Sequence, residues 1–200
     1  MLNAAIPVDT PFTWGPAQSP SPLDHTPPPG SRYDRDTIRG TWGNAFVHFD
    51  ARIRMLRLCS KDVREASSRL ELDWCIACLA DVRSALYQLH VRVVDDYLPQ
   101  VSHASPIVIY VSEAYVWCGD VLEDVQARVR FLSGGSSVCV SSIAEDSSAY
   151  IDDFLEPLFQ EVCESCRAPD AGEPLARPLM PLVERLHVAI VSLNWVLRAA

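Results

Sequence analysis

Eight apolar residues recur at alternating steps of three and four along one stretch: Val108, Val111, Tyr115, Cys118, Leu122, Val125, Val129 and Leu132. That spacing aligns all eight on one stripe of a helix, at a period near 3.5 residues. A second stripe runs beside it through Ile107, Tyr110, Ala114, Trp117 and Val121. The first half of this helix is therefore apolar over most of its circumference, and neighbours must cover it. The β-branched run Ile107–Val111 could suit a strand. A helix is predicted instead, because the stripe continues in register and no second strand is available to pair with it.

The rest of the chain fits the same period. A first helix is predicted from Asp36 or Thr37 to Leu58, with Ile38, Trp42, Phe46, Phe49, Ile53 and Leu56 inward. Gly40 and Gly43 either weaken its first turns, by about 1 kcal/mol each relative to Ala, or admit close approach of another helix. Ser68 and Glu71 have capping-box spacing and predict the start of a second helix, whose stripe runs from Cys75 to Val93 and which Pro99 stops near Tyr97. Ser105 as N-cap and Pro106 as first helical residue open the central helix, and Gly134-Gly135 close it. A serine-rich loop follows, and Ser142 with Glu145 suggests the next helix start. Pro157 is expected to kink or split that fourth helix. After a proline-rich linker, Pro169 to Pro178, a fifth helix turns Leu179, Leu182, Leu186, Ile190, Leu193 and Leu197 inward.

Eight of the fifteen prolines fall in residues 1–36. Proline removes a backbone donor and fixes φ, so this segment is predicted to be a disordered, proline-rich tail, and residues 37–200 the folded domain. The fold class is all-α: a four- to five-helix bundle with coiled coil-like stripes.

Charge limits the function classes. Lys and Arg number 17 against 26 Asp and Glu, a formal charge of −9. Such an acidic balance argues against direct binding of nucleic acid or of anionic membrane surfaces. The longest apolar run, Leu186 to Leu197, is interrupted by polar residues and too short to span a bilayer. The N-terminus has no secretory pattern, and the seven cysteines are odd in number. The expected setting is intracellular, cytoplasmic or nuclear, with reduced thiols.

The motifs with chemical content are few. Cys75/Cys78 and Cys163/Cys166 form two Cys-x-x-Cys pairs, the ligand set of a four-thiolate zinc site. A long interval separates the pairs, whereas compact zinc modules use short spacers. Both also lie on predicted helices, where buried cysteine acts as a small hydrophobe, so zinc stays an option rather than an assignment. Glu184 and His187 make one Glu-x-x-His, and a di-iron bundle needs two such motifs. No nucleophile elbow or phosphate loop is present. Trp42, Trp74, Trp117 and Trp195 fall one to a helix, consistent with a shared core, and Trp74 and Trp117 lie beside the main stripes where they could anchor a partner.

These readings converge on a non-enzymatic interaction domain that binds another protein or a second copy through apolar helix faces. The expected contact residues are Ile107, Tyr110, Ala114, Trp117, Val121 and Trp74. No cofactor is expected beyond the optional zinc at Cys75, Cys78, Cys163 and Cys166. The alternative is a bundle holding a lipid or other hydrophobic ligand in an internal cavity.

Overall fold

The helices form where the stripes predict them. The computed structural model describes residues 35–99, 105–133, 147–167 and 176–199, and these contain five helices and no strand. They are α1 (Arg35–Cys59), α2 (Ala66–Arg92), α3 (Pro106–Leu132), α4 (residues 147–167) and α5 (Met180–Ala199). The all-α bundle is thus established. The expected disordered tail, the Gly134-Gly135 stop, the Ser142–Glu145 start and most of the Pro169–Pro178 linker lie outside the described residues.

The helix ends show how local chemistry settled. α2 begins at Ala66, three residues earlier than the Ser68–Glu71 spacing implied. Glu65 takes the N-cap position, and the hydroxyls of Ser67 and Ser68 both donate to its carboxylate at 3.0 Å. Ser68 is thereby used as a donor to the cap residue rather than as the cap itself. At the other end α2 widens into a π turn, Val93–Tyr97, closed by the Leu98 amide on the Val93 carbonyl at 2.8 Å. Pro99 follows directly. Ser105 and Pro106 do open α3 as predicted, but the Ser105 side chain makes no cap bond; its hydroxyl meets Tyr97 Oη at 2.6 Å, tying the end of α2 to the start of α3.

Pro157 does not split α4. The turn before it, Ile151–Leu155, is a π turn, with the Glu156 amide bonded to the Ile151 carbonyl. Widening by one residue accommodates the missing donor and the bulk of the proline ring, so the helix runs on to Arg167.

α2 and α3 form the middle of the molecule. α1 lies against both, α5 packs along α2, and α4 packs on α3 and more lightly on α5. Every residue of the second α3 stripe is inside this arrangement. Ile107, Tyr110, Ala114, Trp117 and Val121 are all buried in the chain's own core. The expectation that α3 has more apolar surface than its own chain can shield is therefore corrected: α1, α2 and α4 surround it. Trp117 also donates its indole N–H to the Ser147 carbonyl at 3.2 Å, which docks the start of α4.

Candidate functional site

The tryptophans divide by position. Trp42 and Trp117 are core residues, whereas Trp74 is 52% exposed and Trp195 61% exposed. These two meet edge-on across the α2–α5 seam, with ring centroids 5.8 Å apart. Of the six residues expected to contact a partner, Trp74 alone stays at the surface, and its exposed companion Trp195 was not singled out from sequence.

The reason lies in α5. Val183, Leu186, Ile190 and Leu193 are completely buried, yet Val188, Val191 and Trp195 on the opposite side are exposed. Residues three and four apart share a helix face, so Val188, Val191 and Trp195 form an outward apolar strip. Being apolar on both sides, the segment Arg177–Arg198 is long and apolar enough to cross a membrane by length and composition, although 44% of its most apolar window is buried in the bundle. The outward strip could have been found by counting steps from Val188, once the inward face was known.

Beside this strip, α4 and α5 enclose an open groove of about 570 Å³, lined by Ile151, Asp152, Glu156, Val191, Asn194, Trp195 and Arg198. Four of these seven are polar or charged, a poor lining for a lipid chain. Asn194 is about nine-tenths buried. Its Nδ2 reaches Ser148 Oγ at 3.5 Å, while its Oδ1 has no hydrogen-bond partner. That acceptor is sealed beneath the groove, whose open lining carries two carboxylates, Asp152 and Glu156, and one guanidinium, Arg198.

Glu156 has a second role. Its carboxylate accepts from His187 Nε2 at 2.9 Å, and His187 Nδ1 lies 3.2 Å from the Tyr110 hydroxyl. The Phe159 ring stacks on the imidazole, with centroids 3.9 Å apart and planes 5° from parallel. Neutral His187, donating through Nε2 and accepting from Tyr110 through Nδ1, satisfies all three groups. Burial lowers the His187 pKa below its ordinary value, opposed by Glu156; burial raises that of Tyr110. Both ring nitrogens are thus engaged and the ring is covered. The network joins α3, α4 and α5, and its partner carboxylate comes from α4 rather than from Glu184 three residues away.

The two cysteine pairs occupy different neighbourhoods. Cys75 lies near Arg128 and Glu71 on the α2–α3 side, and Cys163 lies near Arg167, Glu184 and Glu156. Among the described residues no group of three or more His, Cys, Asp or Glu side chains is arranged to hold a metal. Cys75, Cys78, Cys163 and Cys166 are not brought together, and all four thiols are pushed up, chiefly by burial, Cys75 to about 11. A thiol of that pKa is roughly 0.1% thiolate at about pH 8. Cys118, fully buried, is raised further. In the folded protein at that pH, iodoacetamide is expected to leave Cys75 and Cys118 unmodified until denaturant is added. Peptide mapping by mass spectrometry that found them labelled as fast as in the unfolded chain would contradict this packing.

No family model, characterised protein or solved structure matches the chain.

Proposed function

We propose that this protein is a non-enzymatic interaction domain that seats a basic amphipathic helix in the α4–α5 groove, with Trp195 and Trp74 as its aromatic anchors. The observation that carries the reading is the juxtaposition on one surface of three features: an exposed indole pair, an apolar strip, and a groove lined by two carboxylates. Tryptophans at well-packed positions are frequent anchors of protein contacts. Asp152 and Glu156 line the groove against the single cation Arg198, Glu156 also holding His187, and Glu184 stands one turn before Val188 on the outward face of α5, so acidic groups outnumber basic ones there. Negative charge flanking an apolar strip favours a partner with aliphatic anchors on one face and Lys or Arg on the other.

Tryptophan fluorescence tests the reading. The probe is a designed Leu/Lys amphipathic helical peptide, with a scrambled peptide of the same composition as control. The amphipathic peptide is expected to shift the emission to shorter wavelength, because it removes Trp195 and Trp74 from water. Trp195→Ala should weaken binding at least tenfold, corresponding to about 1.4 kcal/mol or more. An equal response to the scrambled peptide, or no response to either, would refute the reading.

A further inference from the structure

We infer that the basic helix which fits this groove is the outer face of α1 from a second copy of the same chain. The inference rests on the reading of the groove given above and names its occupant.

The molecule segregates its charge. Between Thr37 and Arg64 the sequence carries Arg39, Arg52, Arg54, Arg57, Lys61 and Arg64 against Asp50 and Asp62, so this stretch is basic within a chain of formal charge −9. α4 is the reverse: Asp152, Asp153, Glu156, Glu161 and Glu164 against Arg167 alone. α1 packs on α2 and α3 and not substantially on α4 or α5, so at least one helix layer separates it from the groove. With helix axes 8–10 Å apart per layer, the two charged faces are roughly 16–20 Å apart, about two Debye lengths at physiological salt. Arg39 and Arg52 lie within 4.0 Å of Asp95 and Glu123, and Arg54 pairs with Asp50, so the positive charge left for a neighbour is that of Arg57, Lys61 and Arg64 at the C-terminal end of the stretch.

The outer face of α1 is also apolar. Val47, Met55 and Leu58 are 65%, 56% and 58% exposed, on the side of α1 away from the core. Gly40 and Gly43 lie on the same side, and a Cβ added to either meets nothing within 4 Å. Nothing inside the chain requires glycine there, although each costs helix stability of about 1 kcal/mol relative to Ala. A partner surface carrying a large ring, such as Trp195 of another copy, would use the space that two missing side chains leave.

The match is between two different faces of one chain, so the contact is heterologous. Such contacts propagate into rings or open filaments rather than closing as a symmetric pair. The Gly40–Leu58 face is only about 27 Å long, at the low end of stable interfaces, so assembly must depend on concentration and salt.

Light scattering on the full chain tests this. In about 50 mM salt and about 200 μM protein, the mass is expected to rise at least twofold above the 22.2 kDa monomer, and to return to it near 500 mM salt. Two variants with substitutions at exposed positions block one face each: Val47→Asp with Leu58→Asp on α1, and Val191→Asp with Trp195→Glu at the groove. Circular dichroism checks that both stay folded. Each alone should remain monomeric, and an equimolar mixture should form a particle of twice the monomer mass, since one intact face of each kind remains. A wild-type monomer under these conditions, assembly by either variant alone, or a mixture that fails to pair would overturn the inference. If the mixture fails while the Leu/Lys peptide still binds, the groove stands and only the second copy is lost; if neither binds, both readings fall.

Discussion

Replacing Trp117 by Ala is expected to destabilise the protein by about 3–5 kcal/mol, the range for emptying a buried aromatic site. Trp117 is almost completely buried between α3 and its neighbours, and its indole N–H holds the Ser147 carbonyl at the start of α4. The variant loses the packing, leaves a cavity, and frees a buried carbonyl. With a urea m-value near 2 kcal/mol per molar, the midpoint should fall by about 1.5–2.5 M. Trp74→Ala removes an indole that is half exposed and should cost less than about 1 kcal/mol. The pair of measurements separates core from surface: similar losses for the two variants would mean that Trp117 is not the core residue described above.

His187→Ala is expected to have the second largest effect, about 2–4 kcal/mol. It leaves the buried Tyr110 hydroxyl without its partner, a loss of about 1–3 kcal/mol, and removes the ring stacked on Phe159, worth about 0.5–1.5 kcal/mol. The same residue carries a pH signature. Burial lowers the folded-state pKa of His187, and also that of His90, whose Nδ1 lies 2.8 Å from the Tyr115 hydroxyl. An unfolded histidine takes up its proton near pH 6.5, while these two do so lower, so the unfolded state binds more protons in that interval. Stability is therefore full above about pH 6.5 and declines as the pH falls below it. Urea midpoints across that interval should decline for the wild type and more gently for His187→Ala, with the remaining slope from His90. A variant losing under about 0.5 kcal/mol with an unchanged slope would show that the Glu156–His187–Tyr110 network does not hold α3, α4 and α5 together.

The central helix shows how far periodicity reaches. Its N-cap Ser105, its first residue Pro106 and its twin stripes are all local patterns, and all describe the observed α3. The inference that its second stripe needs another chain depended on something no local pattern contains: how many neighbours surround the helix. Tyr110 and Val121 are covered by helices distant in sequence, and the true surface strip, Val188, Val191 and Trp195, lies on a helix whose other face had already satisfied the periodicity test. His187 makes the same point for polar groups. The near carboxylate, Glu184, is three residues away, but the one that reaches it is Glu156, delivered by the packing of α4 on α5.

The amino-acid order by itself determined an all-α chain of four to five helices, several of their ends and most of each inward face, Phe154 on α4 being an exception that stands exposed, because helix hydrogen bonding and side-chain alignment act over three or four residues. Only the tertiary structure decided which apolar surfaces are used up inside and which remain, which tryptophans anchor the core and which stand at the α2–α5 seam, and where the basic and acidic helices lie relative to one another. Those properties belong to distances between residues far apart along the chain, and a repeat of 3.6 residues carries no information about them.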